Sequence, residues 1–433
     1  MSETGPTIAA VVIDARARRR AVAAATIGNA LEWYDFIVYS FFAAIIGKLF
    51  FPGADPAFQL LLGLATFGVG FFMRPFGAVV LGIYGDRKGR RASLTLTISL
   101  MVLGIAVITF APTYAAIGIS APILIVIGRL IQGFSAGGEF AGATAFLSEY
   151  ALAGRRGFYV SWQQSSQFMA SLLGALVGVV LTRNLSPESM ADWGWRVPFA
   201  LGLLIGPIGI YIRNRLAETP AFLANRGRLS RSPIGEALRD YWRPILGGFG
   251  MVIFGTVSTY VLVLFLPTYA SRQFALPQSN ALAASAAMSA LLVVLCLVAG
   301  FVTDRIGRKP LLLAASIGMV ILVYPLLAFF AAAPSIGRLL IIEAVFAVLI
   351  AAFTGPAPAM MAELVPTRVR NTALAISYNF AVAIFGGFGQ FIVVWLIQTT
   401  GDVLAPAYYV LGAAIIGTIA VALLPDRTGA PLD

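Results

Sequence analysis

The sequence predicts an all-α integral membrane protein whose twelve transmembrane helices form two pseudo-symmetric six-helix bundles. Three observations predict this fold class: the composition, the length of the apolar runs and an internal repeat. Hydrophobic residues make up 59% of the 433 residues and charged residues only 11%, whereas soluble domains carry about 25% charged residues. So few polar residues cannot cover so much apolar surface in water. The composition therefore excludes a soluble enzyme, a nucleic-acid-binding protein, a fibrous protein and a disordered chain.

Twelve apolar runs are long enough to cross a bilayer, which takes about 20 mostly apolar residues in a helix. The predicted spans, numbered 1 to 12 along the chain, cover residues 26–50, 58–84, 92–111, 119–148, 158–182, 197–213, 244–267, 280–302, 310–333, 338–361, 372–398 and 405–424. Several of these runs exceed one bilayer width, so we expect tilted helices or ends that protrude from the membrane.

The positions of the basic residues orient the spans. If the N-terminus lies in the cytosol, only Lys48, Arg183, Arg272 and Arg338 fall in outer segments, and most other cations fall in inner ones. Because cytosolic loops of membrane proteins are enriched in Lys and Arg, this asymmetry predicts that both termini are cytosolic. It also accounts for the net charge of +11 without a nucleic-acid partner.

Polar segments divide the chain into two halves. The predicted order is a cytosolic N-terminal segment (1–25), a six-helix bundle (26–213), a cytosolic linker (214–243), a second six-helix bundle (244–424) and a cytosolic tail (425–433).

A repeated motif relates the two halves. The pattern Gly-x-x-x-Asp-Arg-x-Gly-Arg-Arg/Lys starts at Gly82 after span 2 and again at Gly300 after span 8. Glu149 after span 4 and Glu363 after span 10 recur at nearly the same offset. Two independent pairs at one spacing indicate a duplication of about half the chain, and parallel repeats of this kind are a known transporter plan.

The doubled loops resemble the signature of the major facilitator superfamily. Within it, the following stretches resemble the metabolite–proton symporter family: GNALEWYDF from Gly28, MRPFGA from Met73, GRLIQGFSAGGE from Gly128, WGWRVPF from Trp193 and ETP from Glu218. The similarity covers residues 25–425. It implies the major facilitator fold in the inner membrane of a bacterium. It also implies proton-coupled transport of an organic acid such as citrate, tricarballylate, 2-oxoglutarate or shikimate, or of a zwitterion such as betaine or proline.

The substrate expectation is finer. The stretches FYVSWQQSSQ from Phe158, AIFGG from Ala383 and TGD from Thr400 look most like the citrate–tricarballylate branch, whereas Trp33-Tyr34, Gly138-Glu139 and Tyr378-Asn379 look more like the broader family. We expect a monomeric symporter in the lipid bilayer that imports a small organic anion with protons by alternating access. A di- or tricarboxylate such as citrate comes first. The alternatives are another family substrate, including a monocarboxylate, betaine or proline, an uncoupled facilitator, or an exporter.

The repeated loops are expected to form a cytosolic gate. An aspartate at a helix start satisfies free backbone N–H groups, and the arginines are placed to pair with Glu149, Glu363 or helix C-termini. The resemblance favours a latch that holds this gate shut, and the alternative is loop folding alone. The gate residues are Gly82, Asp86, Arg87, Gly89, Arg90, Glu149, Asp304, Arg305, Gly307, Arg308 and Glu363.

Charged residues inside the spans predict the proton-coupling site, because a charge at bilayer depth costs roughly 2.5–3.5 kcal/mol or more unless it is paired or hydrated. Glu32 and Asp35 lie one turn apart on one face of span 1. Arg129 lies near the middle of span 4, with Glu139 nearer the cytosol, and Asp35 is its expected ion-pair partner. The alternatives are a helix-anchoring role for Glu32 and a permanent structural bridge from Arg129 to Asp35 or Glu139.

Substrate binding is assigned to polar side chains of both halves. They are Arg129, Gln132, Tyr39, Tyr159, Gln163, Gln167, Tyr260, Tyr378, Asn379 and Arg196. The alternative for the amides and hydroxyls is hydrogen bonding between helices. Arg74 and Arg196 are also consistent with cations that extend toward the membrane surface, and Arg196 is the better gate candidate. Glu343 is expected near the outer end of span 10, where it is solvated.

No cofactor or metal is expected. The chain has no histidine, and its one cysteine, Cys296, lies in an apolar run. These counts exclude a disulfide framework and a cysteine–histidine metal site. With no nucleophile–base constellation either, the sequence predicts a protein that is not an enzyme.

Overall fold

The computed structural model describes residues 15–53, 55–88, 90–152, 154–214 and 233–430, and every regular element in these ranges is helical. Ten of its helices are long and apolar enough to cross a membrane, and Thr95–Phe110 is a shorter apolar helix. The backbone accounts for all twelve predicted spans. The helix of span 1 begins at Ala15, well before residue 26, because the basic segment continues the same helix.

Each span is one helix or a chain of helical segments. Span 1 is Ala15–Phe50, span 2 comprises Pro56–Phe72 and Arg74–Lys88, and span 3 is Arg90–Phe110. Span 4 comprises Ser120–Ser135, Ala136–Gly138 and Glu139–Tyr150, span 5 is Arg156–Asn184, and span 6 is Arg196–Asn214. Span 7 comprises Trp242–Ser258, Thr259–Phe265 and Leu266–Phe274, span 8 is Gln278–Ile306, and span 9 is Arg308–Ala332. Span 10 comprises Ile336–Thr354 and Ala357–Glu363, span 11 comprises Thr367–Ala381, Val382–Gly386 and Gly389–Thr400, and span 12 is Ala405–Leu423. Short helices at Tyr114–Ile117, Pro187–Ser189, Met190–Gly194 and Pro233–Asp240 lie in the connections.

Five spans are irregular near their middles. Span 2 is interrupted before Pro75, which has no N–H to donate, and span 4 contains a 3₁₀ turn at Ala136–Gly138. Spans 7 and 11 each contain a π-helical segment, and span 10 is interrupted at Gly355. Irregular backbone at membrane depth is tolerated where protein or an aqueous cavity covers it, and π-helical turns occur often at functional sites. These interruptions therefore indicate the level of the functional site.

Spans 5 and 8 join the two halves along their whole length. Ser289 donates to the Ser171 hydroxyl (2.9 Å), and the Ser165 hydroxyl donates to the Val293 carbonyl (2.8 Å). Spans 2 and 11 form the matching contact on the other side of the pseudo-axis, where Gly387 lies against the Phe71 ring. The same pair of positions in each repeat thus makes the interface, as a duplication predicts.

Spans 2 and 4 approach each other through glycines. A Cβ on Gly133 would collide with the Gly70 carbonyl oxygen, and a Cβ on Gly137 would collide with that of Arg74. Small residues at helix interfaces in membranes permit such close packing. The contact fixes Arg74 and Arg129, which lie on these two spans, next to one another.

Gly133→Ala is therefore expected to destabilise the protein strongly. Overpacking lowers the free energy of unfolding by about 1–3 kcal/mol. We expect the upper end of this range because a backbone carbonyl cannot move aside as a side chain can. Gly142→Ala is the matched control, since a Cβ at this exposed position of span 4 meets nothing within 4 Å. Thermal unfolding of purified protein in detergent measures both. Equal melting temperatures for the two variants would contradict the close packing.

Candidate transport site

A mainly apolar cavity lies between the two bundles, with about 510 Å³ of space between protein atoms, part of it open to the surroundings. Its walls come from spans 1, 4, 5, 7, 10 and 11, so both halves contribute. Hydrogen-bonding side chains among the lining residues are Gln164, Gln167, Thr256, Thr259, Tyr260, Thr354 and Tyr378, and aromatic rings are Trp33, Phe140 and Phe353. Mainly apolar walls with a few hydrogen-bonding groups are typical of sites for small organic molecules.

Arg74 is buried against the wall of this cavity. Its guanidinium carbon lies 5.0 Å from the Trp33 ring centroid and 5.9 Å from that of Tyr378, and both rings line the cavity. The side chain is 1% exposed, and its Nε and Nη1 have no hydrogen-bond partner among the described residues. The expectation that Arg74 extends toward the membrane surface is wrong, because Pro75 interrupts span 2 there and aromatic rings enclose the cation instead.

Arg129 lies in a second aromatic cage. Its guanidinium carbon is 4.5 Å from the Tyr39 ring centroid and 4.8 Å from that of Phe36, and Nη1 donates to Gln132 Oε1 (2.8 Å). Arg129, Gln132 and Tyr39 are all fully buried and are absent from the cavity wall in this conformation. These three residues lie together in the first bundle, and their contact with substrate stays a prediction.

The expected ion pair between Arg129 and Asp35 is not formed. Asp35 is fully buried, and neither carboxyl oxygen has a hydrogen-bond partner in the described part of the chain. Its Oδ1 instead occupies the space that a Cβ would take at Gly202 of span 6. Because span 6 has a glycine at this level, the carboxyl fits between spans 1 and 6 and forms no ion pair with Arg129.

The glutamines of span 5 divide into two roles. Gln163 is a structural residue, because its Oε1 accepts from the Thr144 hydroxyl (2.7 Å) and its Nε2 donates to the Phe140 carbonyl (3.1 Å). Its assignment to substrate is therefore wrong for this conformation. Gln167 lines the cavity as expected, and so does Gln164, which the sequence-based site omitted. Tyr159 packs with apolar residues near the start of span 5 and is absent from the cavity wall.

The second half contributes tyrosines. Tyr260 and Tyr378 line the cavity as predicted, and the Tyr378 ring stacks on Phe140 of the first half (3.5 Å between centroids). Asn379 does not line it, because its Nδ2 donates to the Gly137 carbonyl (2.7 Å) and so joins spans 11 and 4.

Arg196 lies at the opposite end from the basic loops and outside the cavity wall. It donates to the Asp192 carbonyl (2.6 Å) and the Ala111 carbonyl (3.1 Å), which ties spans 3 and 6 together. The structure therefore does not support the substrate-binding assignment of Arg196.

An ionic cluster closes the basic end, where the Arg-rich loops lie. Asp304 accepts hydrogen bonds from the backbone N–H groups of Gly157 (2.8 Å) and Phe158 (2.9 Å) at the start of span 5. Arg308 pairs with Asp304 (2.7 Å) and Glu363 (3.2 Å). Asp304 does satisfy free N–H groups at a helix start, as expected, but the helix belongs to the other half. The contact therefore holds the two halves together.

Other predicted gate residues have different surroundings. Arg305 is exposed beside the Phe301 ring. Gly82 is also exposed, and a Cβ at this position would meet nothing within 4 Å among the described residues, so its lack of a side chain does not permit a close helix contact here. Gly307 adopts φ +94°, which favours glycine, and Glu149 is half-buried. Gly89 and the side chains of Asp86, Arg87 and Arg90 lie outside the described residues.

The C-terminal tail joins this cluster. The Ala430 carbonyl accepts from Arg156 Nη1 (2.7 Å), and Arg156 also pairs with Glu363 (3.5 Å). Burial alone would raise the pKa of Asp426, but hydrogen bonds from Thr428 and from the Lys309 amide hold that pKa below its usual range. Asp426 therefore stays ionised at neutral pH and keeps the tail attached to the start of span 9.

Two further carboxyl groups, those of Glu32 and Glu343, are buried. Glu32 and the half-buried Glu139 line a second cavity in the first bundle, with about 410 Å³ of space between protein atoms, part of it open to the surroundings. Glu343 is 1% exposed, and neither of its carboxyl oxygens has a partner among the described residues, so the expectation that it is solvated is wrong. Neighbours on other spans cover it, which apolar periodicity alone does not reveal. Across these described ranges, no cluster of three or more metal-ligating side chains occurs.

Two pseudo-symmetric helical bundles with a cavity between them and ion pairs that join them at one end define a multi-pass membrane transporter. The family described as Sugar (and other) transporter matches residues 21–235 and again residues 230–433. The chain is 37% identical to the citrate-proton symporter of Klebsiella pneumoniae, over 96% of this chain and 94% of that protein. It is 36% identical to the proline/betaine transporter of Escherichia coli K12, over 97% and 86%.

The chain therefore belongs to the Sugar (and other) transporter family, and its resemblance to the major facilitator superfamily is confirmed. Solved structures agree on the fold. The proton:xylose symporter XylE bound to 6-bromo-6-deoxy-D-glucose superimposes with a TM-score of 0.79 at 20% identity, over 97% of this chain and 98% of that one. A partially occluded inward open conformation of XylE from E. coli superimposes with a TM-score of 0.77, over 96% of this chain and 100% of that one.

Arg129→Lys is expected to impair transport severely although it preserves the charge. The guanidinium lies over three rings and donates to Gln132, and a compact ammonium cannot reproduce both contacts. Initial uptake rates in proteoliposomes, normalised to folded protein, measure the effect. Arg183→Lys, at an exposed position, is the control. Wild-type rates and apparent affinity for the Arg129 variant would contradict a functional role for the planar side chain.

Proposed function

We propose that the protein is a proton-coupled symporter that imports a small organic anion, with di- and tricarboxylates such as citrate as the first candidates. One observation carries the proposal. Arg74, a fixed cation with two unpartnered nitrogen atoms, lies against the wall of the cavity between the halves. A buried guanidinium with free N–H donors favours a carboxylate ligand, which it binds in a planar, two-pronged geometry.

The electrostatics around the cavity support an anion. Arg74 and Arg129 both lie over the Phe36 ring, 5.3 Å and 4.8 Å from its centroid, and neither forms an ion pair among the described residues. The field of two buried cations attracts a negative ligand strongly at low dielectric. Gln164, Gln167, Tyr260 and Tyr378 add hydrogen-bond donors on the cavity wall. Substrate binding by these residues, with Arg129 behind them, is part of the proposal.

Proton coupling is assigned to Asp35, together with Glu32, Arg129 and Glu139. An unpaired carboxylate is costly at bilayer depth, so the protonated form of Asp35 suits the surroundings that it has here. When the spans of the first bundle rearrange during transport and Asp35 comes within reach of Arg129, the ionised form is favoured instead. The protein thus takes up and releases a proton as it changes conformation.

The ionic cluster of Asp304, Arg308, Glu363 and Arg156 serves as the cytosolic latch in this proposal. It joins the halves at the basic end, which the distribution of Lys and Arg places in the cytosol together with both termini. The latch opens when the bundles rotate and substrate leaves toward the cytosol. In a bacterial inner membrane this direction of transport is import.

A zwitterion such as betaine or proline is the second candidate. The aromatic lining from Trp33, Phe140, Tyr260 and Tyr378 is suited to a quaternary ammonium group, and the proline/betaine transporter of E. coli is 36% identical. Against it, the faces of Trp33 and Tyr378 already lie beside the Arg74 cation.

Uptake into proteoliposomes decides between these candidates. Purified protein is reconstituted and given an inward proton gradient with radiolabelled citrate, tricarballylate, 2-oxoglutarate, shikimate, betaine or proline. The proposal expects accumulation of a di- or tricarboxylate that a protonophore abolishes. Accumulation of betaine or proline alone would assign the second candidate, and uptake that ignores the protonophore would indicate a facilitator.

A further inference from the structure

The cavity that contains Glu32 and Glu139 lies wholly inside the first bundle. Its lining residues come from spans 1, 3, 4 and 6, and none of them is shared with the cavity between the halves. Glu32 is 7% exposed, lines this inner cavity, and has no hydrogen-bond partner for either carboxyl oxygen among the described residues. We name it the N-bundle cavity.

Spans 1 and 4 form the partition between the two cavities. In span 1, Glu32 lines the N-bundle cavity while its neighbour Trp33 lines the cavity between the halves. In span 4, Glu139 lines the N-bundle cavity while its neighbour Phe140 lines the cavity between the halves. At both points an aromatic ring faces the substrate side and a carboxyl group faces the other side.

The N-bundle cavity lies on the basic-loop side of Asp35, which is close to it but is not one of its lining residues. Asp35 lies one helical turn beyond Glu32 on span 1, and its Oδ1 contacts Gly202 of span 6. Gly206, one turn further along span 6, lines the cavity beside Glu32. Spans 1 and 3 begin at the basic end, and spans 4 and 6 finish there. Along span 1, the Glu32 carboxyl group is therefore nearer to the basic loops than the Asp35 carboxyl group is.

We propose that protons leave Asp35 through the N-bundle cavity, with Glu32 and then Glu139 as relay carboxylates, while the substrate leaves through the cavity between the halves. The inference rests on the proposed symport. The Asp35 carboxyl gives its proton to the Glu32 carboxylate, directly or through water, Glu32 passes it to Glu139, and Glu139 releases it to water at the basic end. Each donor becomes a carboxylate, and no other bond changes.

The groups around Glu32 suit a proton and not the anionic substrate. Glu139 is the other titratable side chain among the residues that line the cavity, Thr97 of span 3 supplies a hydroxyl, and span 6 contributes Gly206. Two carboxyl groups repel a carboxylate solute, so the anion is excluded from this path. Separate routes allow the proton to leave without passing Arg74 or the bound anion.

Filling the cavity tests the inference without changing a charge. Met101→Phe places a larger side chain in the N-bundle cavity, and Leu103→Phe on the same span, at a lipid-facing position that is 50% exposed, is the matched control. Glu32→Gln removes the first relay carboxylate. We expect Met101→Phe and Glu32→Gln to lower uptake driven by a proton gradient by about ten-fold or more, because a positioned proton-transfer group contributes on the order of 10²-fold. Substrate counterflow, which needs no net proton movement, should stay near wild type.

A second measurement probes the cavity without any transport. In a Cys296→Ser background, which removes the one buried native thiol, Thr97→Cys should react with a membrane-impermeant methanethiosulfonate reagent from the cytosolic side. Leu103→Cys, which faces lipid, should not. This labelling experiment shows whether water reaches the N-bundle cavity, and its result does not depend on whether the proposed symport is correct.

The combined outcomes are unambiguous. Selective loss of coupled uptake with intact counterflow, together with labelling at position 97, supports the separate proton route. Equal loss of coupled uptake and counterflow would reduce Glu32 and Met101 to structural roles and overturn it. Unchanged coupled uptake in both variants, or no labelling of Thr97→Cys, would overturn it as well.

Discussion

Replacing Arg74 with glutamine is expected to abolish measurable uptake of the organic anion. Losing one partner of a desolvated charge pair costs about 2–5 kcal/mol, which corresponds to roughly 30-fold or more in affinity. The loss should be near the upper end because aromatic rings exclude water around Arg74 and leave the carboxylate without another donor of equal strength. Lysine should restore only part of the activity, since it lacks the planar fork.

The measurement is uptake over a substrate series, combined with thermal stabilisation of purified protein by the same substrate. Arg196→Gln is the informative control. Sequence patterns favour Arg196 as a substrate residue, whereas the structure gives it two backbone carbonyl partners far from the cavity. Arg74→Gln should lose ligand stabilisation, and Arg196→Gln should keep it. The reverse result would move the anion site to the outer end of spans 3 and 6.

Replacing Asp35 with asparagine is expected to abolish accumulation against a gradient while counterflow exchange continues. Asparagine has the size of a protonated aspartic acid and cannot release a proton. The carboxyl has no hydrogen-bond partner among the described residues and fits against Gly202, so the amide should occupy the same space. Proton coupling then fails, whereas the exchange of substrate across the bundles needs no net proton movement.

Proteoliposomes loaded with unlabelled substrate measure counterflow, and empty proteoliposomes under a proton gradient measure accumulation. Glu188→Gln changes an exposed acid in the connection before span 6 and should leave both activities at wild-type values. Full concentrative uptake by Asp35→Asn would remove Asp35 from the coupling role. Loss of counterflow as well would indicate that the carboxylate is needed for the conformational change itself.

Local sequence determined the class of protein. Hydropathy identifies a spanning helix because each span must satisfy its own backbone in lipid, whatever its neighbours are. The repeated Gly-x-x-x-Asp-Arg loops likewise predicted the duplication, and they identified Asp304, Arg308 and Glu363 as one cluster. The glutamines and tyrosines of spans 5, 7 and 11 predicted a polar site, and Gln167, Tyr260 and Tyr378 do line the cavity.

The packing of the spans against one another determines which charges lie beside the cavity and which form ion pairs, and local sequence does not reveal it. The sequence favoured an Arg129–Asp35 pair, yet Asp35 fits against Gly202 and Arg129 is enclosed by Tyr39, Phe36 and Phe67. The sequence was consistent with an Arg74 side chain that extends toward the membrane surface, yet the interruption at Pro75 and the rings of spans 1 and 11 bury it beside the cavity. Helical periodicity predicts on which face of its helix a residue lies, but it does not predict which neighbouring helix packs against that face. Packing between spans, through glycines at 70, 133, 137 and 202, settles that question.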